Sequence, residues 1–256
     1  MAVVPLISHN GKEMSPALEC LIDRRTGYTL VELVGALDLP GATHTRATLL
    51  KILTEQPQAI VVDLARVDEC PTTSVAVFRA VARQAARWPA IPLLLACPTA
   101  HFSALFDRSS AALTPSFPSV DAAAASLGTA SATPMIVDDL LPVSGAARRA
   151  RDVVTDACLR WNLPDLTGPA CIVVSELVNN GVEHAATMLS LRLSLRQRHL
   201  CVAVQDGSVA PPLLRRPQLR GRGLNLVDAV AGSWGHLQTA DGKVVWATFP
   251  LAAHHA

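Results

Sequence analysis

The 256-residue chain is half apolar, with 22 basic against 21 acidic side chains and a formal net charge of +1. Charged residues make up 17%, well under the ~25% of ordinary domains, which excludes a disordered or polyelectrolyte chain. Near-neutrality removes any global attraction to nucleic acid or an acidic membrane, and aromatics at 4% supply no stacking platform for single strands.

No uninterrupted apolar run reaches the ~18 residues of a membrane helix, so no span is expected. The stretch Met1 to Gly11 lacks a basic start followed by an apolar core, so a secretory signal is not expected either. Cys20, Cys70, Cys97, Cys158, Cys171 and Cys201 stand far apart in sequence. That spacing points to reduced thiols in a cytoplasmic protein rather than to a zinc or redox pair.

In chain order, Tyr28 to Leu37 reads as a strand and Thr43 to Thr54 as a helix with Leu49, Leu50 and Leu53 inward. Ala59 to Leu64 is a β-branched run, hence a buried strand. Val75, Phe78, Val81, Ala82 and Ala85 recur at helical spacing and predict a helix over Thr73 to Arg87. Pro92 to Ala96 reads as the next strand and Val120 to Leu127 as a short helix. This alternation implies an α/β layer structure around one sheet. The run AAAASLGTASATP (Ala122 to Pro134) then loses all periodicity, as a linker does. The chain accordingly divides into a domain over 18–128, a linker over 129–137 and a second domain over 138–252.

The second half is of α+β type. Val143 to Trp161 and Ala170 to Ala185 read as helices. Leu189 to Leu195 alternates without a fault, Leu200, Val202 and Val204 repeat the period, and Gln197 to His199 turns the pair. Val244 to Phe249 closes the domain behind an Asp241-Gly242 hairpin signal. Antiparallel strands covered on one face by helices are expected.

Three features of this half carry chemistry. Glu176, Asn180 and His184 recur every four residues and fall within an arc of about 80° on one helix face. A carboxylate and an amide one turn apart can share a magnesium ion, which takes hard oxygen ligands. Asp206 ends a strand beside Gly207, where a carboxylate accepts from the amine of adenine and repels the carbonyl of guanine. Gly221-Arg222-Gly223 opens a helix beginning with Leu224, and a glycine loop there offers free N–H groups to phosphates. Singly, each feature also fits a plainer role: a solvated helix face, a turn, a loop glycine. In this order they describe a nucleoside triphosphate site.

The segments SELVNNGVEHA (Ser175 to Ala185), VQDG (Val204 to Gly207) and GRGLNLV (Gly221 to Val227) resemble the boxes of the GHKL ATP-binding fold. They are similar in particular to those of anti-sigma factor serine/threonine kinases of the actinobacterial kind, and WGHLQTADGKVVWATFPL resembles that family's terminal strands. The resemblance implies a GHKL (Bergerat) α/β sandwich that takes ATP and Mg2+. Glu176 would act as general base on a protein hydroxyl, Asn180 would hold Mg2+ and Asp206 would read adenine. His184, Gly207, Gly221, Arg222, Gly223 and Leu224 would complete the nucleotide site. Two departures stand out. Ser208 to Pro212 lack the second glycine of the Asp box, and Val244 stands where a Thr is common, with Thr248 further on. Arg215, Arg216, Arg220 and Arg222 sit in an acid-free loop suited to a phosphate lid, a docking surface or simple solvation.

In the first half, GALDLPGATHTRATLLKIL (Gly35 to Leu53) and IVVDLARVDECPTTSVAVF (Ile60 to Phe78) resemble a STAS domain, the fold of anti-anti-sigma factors. The family's phosphoacceptor position falls on Thr73, with Thr72 beside it. Pro71 and Ser74 replace the usual flanking Asp and Gly. The same hydroxyls also suit helix capping, and Asp38 and Asp63 read as structural strand-end groups. Together the resemblances imply a partner-switching regulator of transcription, a STAS module fused to an anti-sigma-type kinase. Its partners would be a STAS-type anti-anti-sigma protein, a sigma factor or both, without direct nucleic-acid contact, and the family allows a homodimer. The alternative is a nucleotide-binding and STAS module that regulates a partner by contact only. A histidine kinase catalytic module fits less well, because no helical hairpin with a phosphoaccepting His is in sight.

Overall fold

A computed structural model describes residues 17–68, 70–96, 114–128, 133–210, 223–239 and 241–252. The architecture is mixed α/β, with two five-stranded sheets among the described residues. The chain divides into two compact units, Met1–Ala86 with Ile91–Ala130, and Arg87–Ala90 with Ser131–Ala256.

In the first unit β1 (Glu19–Arg25), β2 (Tyr28–Gly35), β3 (Ile60–Val67), β4 (Leu93–Ala96) and β5 (Ser116–Phe117) lie side by side in chain order. β1 and β2 form an antiparallel hairpin, and the remaining pairs are parallel. Parallel neighbours require crossover helices, which α1 (Leu39–Glu55) and α2 (Ala76–Arg87) provide. β3 is central, and Ile60, Val61 and Val62 are all buried, the continuous apolar run of a strand covered on both faces. On one face Leu30, Val61 and Leu94 pack against Ala123 of α3 (Val120–Ser126).

β1 is an edge strand, exposed along most of its length, and its sequence carries no alternation to announce it. The turn at Gly27, with φ of +90°, creates it by folding the chain back onto β2. α1 starts at Leu39, ahead of the expected Thr43. Asp38 caps it, its Oδ1 accepting from the Gly41 N–H at 2.8 Å, and Pro40 fits the first turn. Asp63 Oδ1 accepts from the Ala65 N–H at 2.9 Å, next to a register shift between β2 and β3. Both aspartates are therefore structural.

In the second unit β6 (Met135–Leu140), β7 (Leu189–Arg196), β8 (His199–Asp206), β9 (Ser233–Thr239) and β10 (Gly242–Pro250) form a sheet in the order β6-β7-β8-β10-β9. Every pairing is antiparallel. β6 opens inside the stretch read as linker; only six residues long and half exposed, it takes its register from β7. α4 (Ala146–Arg160) and α5 (Pro164–His184) cover one face, and α6 (Gly223–Val230) packs on α5. Val154, Val174, Leu177 and Val178 from the helices meet Leu191, Val202, Val204 and Val245 from the sheet. α5 begins well before the expected Ala170, with Pro164 in its first turn and Pro169 inside it. Pro169 suggests a break by its missing N–H, yet Ala170, Val173 and Val174 behind it are fully buried, and packing carries the helix through.

Asp38→Ala removes a helix cap and is expected to lower stability by about 1 kcal/mol in urea unfolding, with Asp38→Ser near wild type.

Candidate functional site

Of the residues expected from the sequence, Glu176, Asn180 and His184 lie on the C-terminal half of α5, and Asp206 ends β8. Glu176 and Asn180 lie half-buried on α5, one turn and roughly 6 Å of helix rise apart. His184 is the exposed last residue of the helix. None of the three side chains has a hydrogen-bond partner among the described residues. Thr187, three residues beyond the helix, clasps the end of β8, its Oγ1 accepting from the Gly207 N–H at 2.8 Å. A Cβ on Gly207 would stand 3.1 Å from Thr187 Cγ2, so glycine permits this approach. Within α5, Gly181 lets Leu189 pack flat, because a Cβ there would lie 2.7 Å from Leu189 Cδ2. These contacts bring the helix stripe and the strand-end acid to the same end of the sheet.

Asp206 is the last residue of β8, and it is not open. The Lys243 ammonium donates to Asp206 Oδ1 at 3.0 Å, and both side chains are only 3% exposed. The same oxygen accepts from the Ser208 N–H at 2.8 Å. Register explains the pair: β8 and β10 place Lys243 directly opposite Asp206, while Val244 lies opposite Gln205. Val202 and Val204 on β8 and Val245 and Ala247 on β10 face the helices, so period-two alternation sends Asp206 and Lys243 to that side too. Gly242 secures the approach. Its φ is +143°, and a Cβ there would fall 2.0 Å from the Asp206 carbonyl oxygen.

Among the remaining expected residues, Gly223 is the first of α6. The Leu224 side chain belongs to the hydrophobic core, 7% exposed, so only its backbone remains for a ligand. Asp228 Oδ1 accepts from the Trp234 indole N–H at 2.8 Å and ties α6 to β9. Gly221 and Arg222 lie outside the described residues, as do Arg215, Arg216 and Arg220. Sequence reasoning missed Lys243. Its side of the sheet was readable from Val245, two residues on, but its partner depends on a pairing between strands far apart in the chain.

Tested against these observations, ATP and Mg2+ fit unevenly. The metal end fits, because Glu176 and Asn180 offer oxygen ligands with no internal partner. The purine end does not, because Asp206, the carboxylate expected to read adenine, already neutralises a buried ammonium.

In the first unit Thr72 and Thr73 are exposed on a turn ahead of α2. The helix begins at Ala76 because the backbone first runs through i→i+3 bonds: Ser74 N–H to Pro71 O at 2.9 Å, Ala76 N–H to Thr73 O at 3.3 Å. Neither threonine hydroxyl caps the helix or has a partner among the described residues.

No family model matches the chain, and no curated protein does. Among solved structures it is similar to an anti-sigma factor antagonist from Mycobacterium paratuberculosis, with 17% identity over 43% of this chain and 94% of that one, and a TM-score of 0.35. It is also similar to the RsbU and RsbW domains of a Mycobacterium tuberculosis protein, with 18% identity over 46% of this chain, 32% of that one and a TM-score of 0.35. A third is the Bacillus cell fate determinant SpoIIAA in its phosphorylated form, with 16% identity over 43% of this chain, 99% of that one and a TM-score of 0.34.

Lys243→Ala leaves Asp206 buried without a counter-ion and is expected to destabilise the protein by about 3–5 kcal/mol in chemical denaturation. Replacing both partners, Asp206→Leu with Lys243→Met, is expected to be much closer to neutral.

Proposed function

We propose that the chain is a partner-switching regulator that works by docking, a STAS-like unit fused to a GHKL-like unit, with a STAS-type anti-anti-sigma protein or a sigma factor as partner. The observation behind it is a nucleotide-type layout whose purine end is closed by the chain's own ion pair. A catalytic role needs the triphosphate held at both ends, since phosphoryl transfer rests on positioning and charge neutralisation. A docking role does not. The exposed Thr73 hydroxyl is the position where a switch acts on this reading. Phosphate there adds close to two negative charges to a docking surface without refolding the unit.

The test is affinity of the full chain for purified STAS-type and sigma-factor partners, with and without ATP and Mg2+. Unchanged affinity on adding nucleotide is expected, together with about a tenfold loss for Thr73→Glu, close to 1.4 kcal/mol. Absence of binding to any such partner, or binding only with nucleotide present, overturns the reading.

The second reading is a protein serine/threonine kinase, favoured by the unpartnered Glu176 and Asn180 one turn apart. Glu176 would take the proton of the attacking hydroxyl, and Asn180 would hold Mg2+. Transfer of label from ATP to a STAS partner, abolished by Glu176→Gln, selects this reading; no transfer is expected if docking is the function.

A further inference from the structure

We infer that Lys243 is a resident occupant of the purine end of the second unit, so that the wild-type chain does not take adenine nucleotides and Lys243 is the residue that prevents it. The inference deepens the docking reading above and rests on it.

The geometry runs from the backbone outward. Gly242 lets β10 lie against the Asp206 carbonyl closer than any residue with a Cβ allows. Its carbonyl accepts from Gln238 Nε2 at 3.1 Å, which fixes the start of β10 on β9. Lys243 is thereby held opposite Asp206, its ammonium 3.0 Å from Oδ1, with both side chains 3% exposed. A purine edge reaches that carboxylate only after the ammonium has moved.

Such an exchange is unfavourable for a physical reason. An amine of adenine is neutral and donates one hydrogen bond, whereas Lys243 donates a charge-assisted bond and cancels the carboxylate's charge. Displacing Lys243 for a purine leaves an uncompensated charge in a site closed to water. By the usual penalty for an orphaned buried charge, affinity for a purine falls roughly a hundred- to several-thousandfold. The half-buried Glu176 and Asn180 stripe is untouched by this pair, so the block sits at the base end of the site.

The experiment is calorimetric titration and thermal unfolding of the full chain with ATP and Mg2+, GTP and Mg2+, and Mg2+ alone. Wild type is expected to give no nucleotide heat and no rise in Tm. Lys243→Thr, which clears the ammonium and its stem, is expected to gain ATP binding and a Tm rise of a few degrees at saturating nucleotide. Should that variant fail to fold by circular dichroism, Asp206→Asn with Lys243→Thr keeps a carbonyl acceptor and orphans no charge. ATP binding or stabilisation of wild type overturns the inference, and so does a folded variant that binds no better than wild type. These outcomes are independent of partner capture: a silent wild type with a gain in the variant upholds Lys243 even where no docking partner is found.

Discussion

The second unit is organised around one buried pair of opposite charges at the edge of its helix-facing sheet surface. An ammonium and a carboxylate, each almost wholly withdrawn from water, tolerate burial only in each other's company. That requirement fixes the relative position of β8 and β10 at their ends, just as Val204 opposite Val245 and Val202 opposite Ala247 fix it within the sheet. A slip of one residue would turn the apolar set outward and separate the charges together. The apolar packing and the ion pair therefore enforce the same register.

Much of this was open to inspection in the amino-acid order, and the reasons for the rest are specific. LSLRLSL alternates without interruption and reads as a strand, which β7 is, although Ser194 and Arg196 on its expected wet face are buried. The four-residue rhythm of Glu176, Asn180 and His184 placed them on one helix, and they are on α5. β1 and β6 escaped notice because β1 is exposed along most of its length and β6 along half of it, and each is a strand by virtue of its neighbour. α5 runs back past its expected start at Ala170 because burial of Ala170, Val173 and Val174 behind Pro169 outweighs the local cost of its missing N–H. The Lys243 pairing escaped for a different reason. It joins strands separated by α6 and β9, and no local rule reports a register set across such an interval.

The two units differ in how they cover a sheet, and the difference shapes what each can present. The first is mostly parallel, and its central strand opens on the buried apolar run Ile60 to Val62, with polar groups gathered toward the strand ends and the connections that follow them. Asp38 and the threonine pair both occupy such connections; Asp38 is spent on the helix backbone, and the threonines are left facing solvent. The second is antiparallel, and α5 carries two kinds of side chain on one element. Val173, Val174, Leu177 and Val178 supply core, while Glu176 and Asn180 ride between them at intermediate depth.

The turn carrying Thr72 and Thr73 has a further property. Its backbone is secured by short-range bonds from Ser74, Ala76, Val77 and Phe78 to carbonyls three residues back. Such a turn unwinds piecemeal, each amide released at small expense, while Phe78 and Val81 keep the body of α2 seated. Ser74 and Val75 behind the threonines are buried, so local opening confined to Thr72 and Thr73 leaves the packing of the unit and the sheet beneath undisturbed.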